Sequence, residues 1–122
     1  MATNSLRLIL VTAPEKEAPE LARTLLEERL IACANLLPGV QSLYWWEGKI
    51  DAGSETLLIL KCPARNVKRL MHRVKELHSY STPEILALHV AQAHPLYAAW
   101  VMQEARPVRI TRKGKPIRRL RK

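Results

Sequence analysis

The sequence predicts an α+β fold in which one antiparallel sheet carries two helices on one face and a third helix closes the chain. Apolar, β-branched runs alternate with amphipathic segments of helical period in the order β-α-β-β-α-β-α. The first six of these elements have the order of the ferredoxin-like fold. At 122 residues, with 48% hydrophobic and 25% charged residues, the chain has the size and composition of one globular domain.

The first strand and helix are predicted from residues 6 to 32. LRLILVT (6–12) is an apolar, β-branched run and is predicted to be a buried strand. Pro14 suits a first helical turn, and the acids that follow it suit the positive end of a helix dipole, so the helix is predicted to begin at Pro14. Its apolar stripe is Ala18, Leu21, Ala22, Leu25 and Leu26, and the helix is predicted to fade between residues 30 and 32.

The middle of the chain is predicted to be an unusually long β-hairpin. Residues 33–46 form its first arm, with a bulge expected at Pro38-Gly39, and residues 50–62 return after a turn at 47–49. About 13 residues per arm span on the order of 40 Å, roughly twice the common strand length. Part of the hairpin should therefore project beyond its own domain, and oligomerisation is expected to cover it.

The rest of the domain is predicted to be helix, polar loop, strand and helix. A second helix opens at Pro63 and runs to Leu77, with an apolar face and a basic face. Residues 78–83 form a polar connection to a strand at 84–90, and a short helix covers 95–105.

The net charge of +9 belongs to the end of the chain. Residues 1–105 hold 11 Lys or Arg and 11 Asp or Glu, whereas residues 106–122 hold nine Lys or Arg and no acid. The chain is thus predicted to consist of a neutral domain, 1–105, and a basic tail, 106–122. The tail is expected to contact nucleic acid, another polyanion or an anionic membrane. Alternatively, its few aliphatic residues could pack along its own protein or a neighbouring subunit.

The sequence motifs that mark several classes of enzyme and metal site are absent from this chain. The four glycines stand apart, and no HExxH, CxxC or Gly-x-Ser-x-Gly is present, so the chain is predicted not to be an enzyme. Cys33 and Cys62 are predicted to be small buried residues rather than a disulfide or metal pair. The apolar run Leu6 to Val11 is too short for a membrane span, and the protein is expected to be cytoplasmic, with no transmembrane segment.

The densest polar cluster of the domain is HSYSTPE (78–84). His78 could bind a metal or shuttle a proton, with Tyr80 and Glu84 as hydrogen-bonding neighbours. The alternative, which these residues alone favour, is that His78 caps the end of the second helix while the other polar groups satisfy the backbone.

Several segments resemble the CutA family of divalent-cation tolerance proteins over about residues 6–104. The resemblance is carried by LVTAP (10–14), LLEERLIACANLLPGVQSLYWWEGKI (25–50), ILK (59–61), VKELHSYSTPEILALHV (74–90) and Leu96-Tyr97-xx-Trp100. It implies a ferredoxin-like subunit in a homotrimer, related to the PII signalling proteins, with the hairpin reaching across to neighbouring subunits. It also implies a role in tolerance of copper and other divalent cations.

The family's recurrent polar and aromatic residues, which the resemblance places in a cleft between subunits, fall on eight positions of this chain. The expected ligand-binding residues are Asn35, Trp46, Lys61, Tyr80, Glu84 and Trp100, and the expected metal ligands are His78 and Cys33. Where other members carry a further cysteine or histidine, this chain has Val11 and Leu77, and Ser79 replaces a common proline. Weak binding of copper or another divalent metal is therefore expected, with a PII-like scaffold for a protein partner as the alternative.

The neighbouring aromatic residues Tyr44, Trp45 and Trp46 cannot all face one way. Successive residues of a strand point to opposite faces, so Tyr44 and Trp46 should share one face and Trp45 the other. Trp46 is expected to line the cleft. Trp45 is expected to be buried by trimer packing or to remain partly exposed to solvent.

Overall fold

The computed structural model of the protein describes residues 5–107, which form one four-stranded antiparallel sheet and three α-helices. The elements are β1 (Leu6–Ala13), α1 (Ala18–Glu27), β2 (Cys33–Trp46), β3 (Lys49–Pro63), a 3₁₀ turn (Ala64–Asn66), α2 (Val67–Leu77), β4 (Ile85–His89) and α3 (Pro95–Glu104). The strand order β2-β3-β1-β4 is that of the ferredoxin-like fold, so the predicted fold class is confirmed. The boundary predicted at residue 106 stays a prediction, because residues 108–122 lie outside the described part of the chain.

The core lies between one face of the sheet and helices α1 and α2. Alternate residues of the central strands, such as Ile9 and Val11 of β1 and Leu58 and Leu60 of β3, are completely buried. The helices meet them with the apolar residues Leu21, Leu25, Leu70 and Val74. The amphipathic period of both helices thus places their apolar stripes on the sheet.

The opposite face of the sheet, here called the open face, is largely aliphatic and only partly covered. The register aligns its residues in rows across the strands, with Leu86 beside Leu10 and Ile59, and Leu88 beside Leu8. Leu86 and Leu88 are 52% and 40% exposed. Helix α3 packs against β1 and β3 and covers one end of this face. The remainder is an apolar surface of a kind that usually marks a protein contact.

The hairpin of β2 and β3 projects beyond the sheet, as predicted. Strand β1 pairs with β3 only from Thr56 onward, so residues 40–46 and 49–55 pair with each other alone. That leaves about 20 Å of two-stranded ribbon at ~3.3 Å per residue. The predicted bulge is present as a register shift between Leu37 and Val40, with Gly39 at φ 74°.

Helix α1 begins at Ala18, so the start predicted at Pro14 is wrong. Residues 15–17 form a turn in which the amides of Glu17 and Ala18 both donate to the carbonyl of Pro14, at 3.0 and 3.1 Å. The reason is Pro19, which lacks an amide and is tolerated only in a first turn. In a helix that began at Pro14 it would stand in the interior and break the hydrogen-bond ladder.

The same helix ends earlier than predicted, at Glu27. Arg29 adopts φ 60°, its amide donates to Leu26 at 3.0 Å, and the amide of Leu30 donates to Leu25 at 3.1 Å. This pair of bonds is the Schellman ending, with arginine where glycine is usual. The Arg29 guanidinium also donates to the carboxylate of Glu104, which joins the end of α1 to the end of α3.

Asn66 connects three parts of the domain. A 3₁₀ turn precedes α2, so the regular helix begins at Val67 rather than at Pro63 as predicted. The side chain of Asn66 does not cap α2; its amide group donates to the carbonyls of Leu30 and Ala105, both at 3.0 Å. It is 4% exposed, and its two bonds hold the chain where it leaves α3.

Candidate functional site

One group of predicted site residues lies on the open face of the sheet. Cys33 stands directly across from Lys61, and Asn35 lies one row further along β2. The Lys61 ammonium donates to the side-chain oxygen of Asn35 and lies 3.8 Å from the Cys33 sulfur. We call these three residues the lysine cluster.

Two aromatic residues of α3 accompany the lysine cluster. Burial raises the pKa of Tyr97, and its contact with Cys33 raises it further, which places the phenol beside the thiol. The ring of Trp100 lies 5.7 Å from that of Tyr97, and Trp100 is 43% exposed. The predicted residue Trp100 is therefore part of the same region, through Tyr97.

A second group forms around His78, at the end of α2. The carbonyl of Thr12 lies 2.8 Å from His78 Nε2 and can only accept, so Nε2 carries the proton. Nδ1 then accepts from the amide of Tyr80 at 3.1 Å, and the two rings lie 4.6 Å apart. The hydroxyl of Tyr80 donates to Glu55 at 2.9 Å. We call His78, Tyr80 and Glu55 the histidine cluster.

The electrostatics of the histidine cluster favour the protonated phenol. Burial and the Glu55 carboxylate raise the pKa of Tyr80 to about 12, with smaller contributions from Tyr44 and Glu17. Glu17 also accepts from the amide of Ser79 at 3.3 Å, which ties the β1–α1 turn to the loop of the cluster. Tyr80 is thus a hydrogen-bond donor at neutral pH.

Two predicted residues stand apart from both clusters. Glu84 is exposed, and within residues 5–107 its carboxylate makes no hydrogen bond or ion pair. Trp46 lies at the hairpin tip, 59% exposed, opposite Lys49. Lys49 is twelve residues from Lys61 along β3, so Trp46 and the lysine cluster are separated by about 40 Å at ~3.3 Å per residue.

The two clusters are also separate within one chain. Glu55 and Lys61 are six residues apart on β3, or about 20 Å. The single subunit therefore brings together Cys33, Asn35 and Lys61, and separately His78 and Tyr80, but it does not unite the eight predicted residues.

The predicted metal ligands His78 and Cys33 do not converge within the chain. Across residues 5–107, no group of three or more His, Cys, Asp or Glu side chains is arranged to hold a metal ion. Both nitrogens of His78 already form hydrogen bonds, so a metal there would have to displace Thr12 or the Tyr80 amide. Cys62 lies on the core face, opposite to Cys33, and both thiols are free.

Sequence reasoning did not identify Glu55 as a member of the site. It lies in a strand between Ser54 and Thr56, where an isolated acid looks like a solvated residue, yet it is only 8% exposed. Its partner Tyr80 comes from a loop 25 residues away, which sequence spacing alone does not reveal.

A groove of about 410 Å³ lies between α1 and β2, apart from both clusters. Its lining includes Arg23, Leu26 and Leu36, and none of the predicted site residues. Among the described residues, no helix is long and apolar enough to cross a membrane.

Comparison with known proteins identifies the family. Residues 7–104 match the family described as CutA1 divalent ion tolerance protein. The chain is 40% identical over 97 residues to the divalent-cation tolerance protein CutA of Thermus thermophilus, covering 79% of this chain and 94% of that protein. It is 39% identical over 100 residues to the rice protein named CutA 1, chloroplastic, but that match covers 81% of this chain and 56% of the rice protein. Since the rice protein is named chloroplastic, the cytoplasmic location of this chain stays a prediction.

A solved structure agrees with the sequence match. The structure titled PII-like protein CutA from Nostoc sp. PCC 7120 in apo form superposes with a TM-score of 0.79 at 32% identity, covering 83% of this chain and 98% of that one. The fold, the matched residues and these relatives lead to one conclusion: the chain belongs to the CutA family of divalent-cation tolerance proteins.

Proposed function

We propose that this protein acts in the response to divalent metal ions as a homotrimer that binds copper or a small ligand weakly, in a cleft between subunits. The observation that carries the proposal is the division of the expected ligand set into a lysine cluster and a histidine cluster about 20 Å apart. Neither cluster is a complete site, and assembly of copies can bring one cluster opposite another.

The surface of the subunit supports self-association. The open face carries the aliphatic rows around Leu86 and Leu88, and the lysine cluster lies on the same face. The hairpin presents Trp45 and Ile50, 73% and 66% exposed, on its projecting part. Burying such surfaces against other subunits would stabilise the assembly by about 25 cal/mol per Å² of apolar area.

The proposed role is binding rather than catalysis. The pKa of Tyr80 is raised from 10.0 to about 12, still further above neutral pH, so the phenol does not act as a base there, and both nitrogens of His78 are hydrogen-bonded. The proposal therefore uses these groups as donors and ligands and assigns no reaction to them.

Titration calorimetry with Cu²⁺ tests the metal assignment. We expect weak binding by the wild-type protein that is lost in His78→Ala and reduced in Cys33→Ala. His72→Ala is the matched control, because His72 is exposed on α2 and pairs only with Glu76 among the described residues. Identical isotherms for wild type and His78→Ala would remove His78 from the site, and an equal loss in His72→Ala would indicate surface binding.

A PII-like scaffold for a protein partner is the second candidate, and the exposed hairpin tip favours it. A large exposed apolar surface with aromatic residues is typical of a binding site for another protein. If Cu²⁺ gives no heat with any variant, while a purified partner binds at fixed stoichiometry and loses affinity in Trp45→Ser, the scaffold function replaces the metal function.

A further inference from the structure

We propose that the lysine cluster, together with Tyr97 and Trp100, binds a small aromatic carboxylate: the Lys61 ammonium holds the carboxylate group and the two rings hold the aromatic body. The inference rests on the proposed function, because it assigns a class of ligand to one of the two clusters of the proposed cleft. All of its residues lie within 5–107, and Tyr97 joins them as a site residue that was not expected from the sequence.

The charge of Lys61 is not balanced by an acid of its own chain. Its ammonium donates to Asn35 and lies 3.8 Å from the Cys33 sulfur, and no carboxylate within residues 5–107 pairs with it. Lys61 is half-buried, and a partly desolvated ammonium attracts an anion more strongly than an ammonium in open water does. The ammonium therefore favours a negatively charged ligand, which would gain a charge-assisted hydrogen bond.

The open face around Lys61 is aliphatic. The register places Leu8 of β1 directly opposite Lys61, and Leu88 of β4 lies beyond Leu8 in the same row. Because side chains alternate along a strand, the next open-face residue of β3 is Ile59, and the nearest open-face acid of that strand is Glu55, about 20 Å away. A ligand at Lys61 thus meets one positive charge above an apolar floor, an arrangement that suits an anion with an apolar body.

Helix α3 supplies two aromatic side chains beside the lysine cluster, Tyr97 and Trp100, which we call the aromatic pair. The Tyr97 phenol contacts the Cys33 thiol. The ring of Trp100 lies 5.7 Å from that of Tyr97, with 34° between their planes, and both residues are partly exposed. Adjacent exposed rings can accept a third ring by offset or edge-to-face stacking. The apolar body of the ligand is therefore expected to be aromatic.

A carboxylate fits this site better than a phosphate does. The single ammonium balances one negative charge, whereas a phosphate carries up to two and is commonly bound at a helix N-terminus or by several cations. In α3, Pro95 has no amide hydrogen, and the amide of Leu96 already donates to His94 Nδ1 at 3.1 Å. The Asn35 oxygen accepts from Lys61, so the amide nitrogen of Asn35 can donate to the second carboxylate oxygen.

The single chain covers such a ligand from one side only. The lysine cluster lies on the open face, which other copies are proposed to cover, so a neighbouring subunit would form the second wall of the site. Small-molecule sites bury most of the surface of their ligand. We therefore expect the aromatic carboxylate to bind to the trimer.

Titration calorimetry of the wild-type protein with benzoate tests the proposal, with benzamide, acetate and phenyl phosphate titrated in parallel. Benzamide has the ring without the charge and acetate has the charge without the ring, so each should bind at least about 10-fold more weakly than benzoate. Benzamide that binds as tightly as benzoate would overturn the role of the charge. Phenyl phosphate that binds more tightly than benzoate would overturn the assignment to carboxylates.

Two substitutions assign the binding to the cluster. Lys61→Met keeps the apolar stem and removes the charge-assisted bond, so it should weaken benzoate binding by about 10- to 100-fold. Trp100→Leu should reduce the preference for benzoate over acetate. The matched control is Lys49→Met, because Lys49 is also a lysine of β3 opposite a tryptophan, Trp46, but lies at the hairpin tip. Equal losses in Lys49→Met and Lys61→Met would overturn the proposal.

Light scattering and Cu²⁺ titration of the same samples separate this inference from the proposed function. If a wild-type trimer binds Cu²⁺ and gives no heat with benzoate, the aromatic carboxylate is wrong and the metal-binding cleft stands. If the wild-type protein is a monomer that binds neither Cu²⁺ nor benzoate, both proposals are overturned.

Discussion

At the residue scale, the bond from Tyr80 to Glu55 is the contact with the clearest energetic consequence. Glu55 is a nearly buried acid, and the Tyr80 hydroxyl is its donor. Tyr80→Phe removes that donor and should lower the free energy of unfolding by about 1–3 kcal/mol, because a buried acceptor is left unpaired. Urea denaturation at fixed protein concentration measures the change.

Tyr44→Phe is the matched control for that substitution. Tyr44 lies near the same cluster, but its hydroxyl makes no hydrogen bond within residues 5–107. Its loss should change stability little. Equal destabilisation by the two variants would contradict the assigned bond.

The raised pKa of Cys62 predicts that the protein loses stability at alkaline pH. Burial raises the pKa of its thiol to about 12 from the ordinary 9.0. Because the folded-state pKa is the higher one, the contribution to stability is complete below pH 9 and declines as pH rises toward 12. Between pH 9 and 10 the stability difference between wild type and Cys62→Ala should shift by about 1 kcal/mol, with wild type losing more.

Equilibrium unfolding at several pH values measures this shift, and Cys33→Ala provides the control. Cys33 is only half-buried, so its removal should leave the alkaline decline in place. The Tyr80 and Tyr97 phenols, whose pKa values are also raised, add to the decline only above about pH 10. If the Cys62→Ala protein loses as much stability as wild type between pH 9 and 10, the decline cannot be assigned to the Cys62 thiol.

At the element scale, the bulge in β2 depends on Gly39. Its φ of 74° lies in the left-handed region, and its amide donates to Glu15 at 3.2 Å. Gly39→Ala should cost about 1–2 kcal/mol of backbone strain, although an added methyl would meet nothing within 4 Å. Thermal unfolding measures this cost.

Gly53→Ala is the control on the neighbouring strand. Gly53 lies outside the left-handed region, and an added methyl would meet only the Tyr44 hydroxyl at 3.7 Å, an ordinary contact. It should therefore be nearly neutral. The strain account fails if both alanine variants unfold at the same temperature.

The order of elements could be predicted because apolar periodicity and turn residues are local signals. The ends of the elements were less predictable. Helix α1 starts later than expected because Pro19 is tolerated only in a first turn, and it ends before Arg29, which adopts the left-handed conformation that glycine usually adopts. The three residues of the lysine cluster were expected as site residues because of the family resemblance, whereas Glu55 was not expected. Its burial depends on Tyr80, which the fold brings from a distant loop, and such contacts leave no trace in sequence spacing.

At the scale of the whole molecule, the subunit has the features of one part of a larger assembly. The open face, the projecting hairpin and the divided ligand set are the features that support the proposed trimer.

Light scattering of the purified protein tests the assembly most directly. We predict about three times the subunit mass of 13.9 kDa for wild type, and a lower mass for Leu86→Glu/Leu88→Glu, which places charge in the aliphatic rows. Leu26→Glu is the control. It places a charge on helix α1, on the other side of the sheet, and should leave the measured mass at that of a trimer. A single wild-type species of 13.9 kDa at micromolar concentration would contradict both the trimer and the cleft between its subunits.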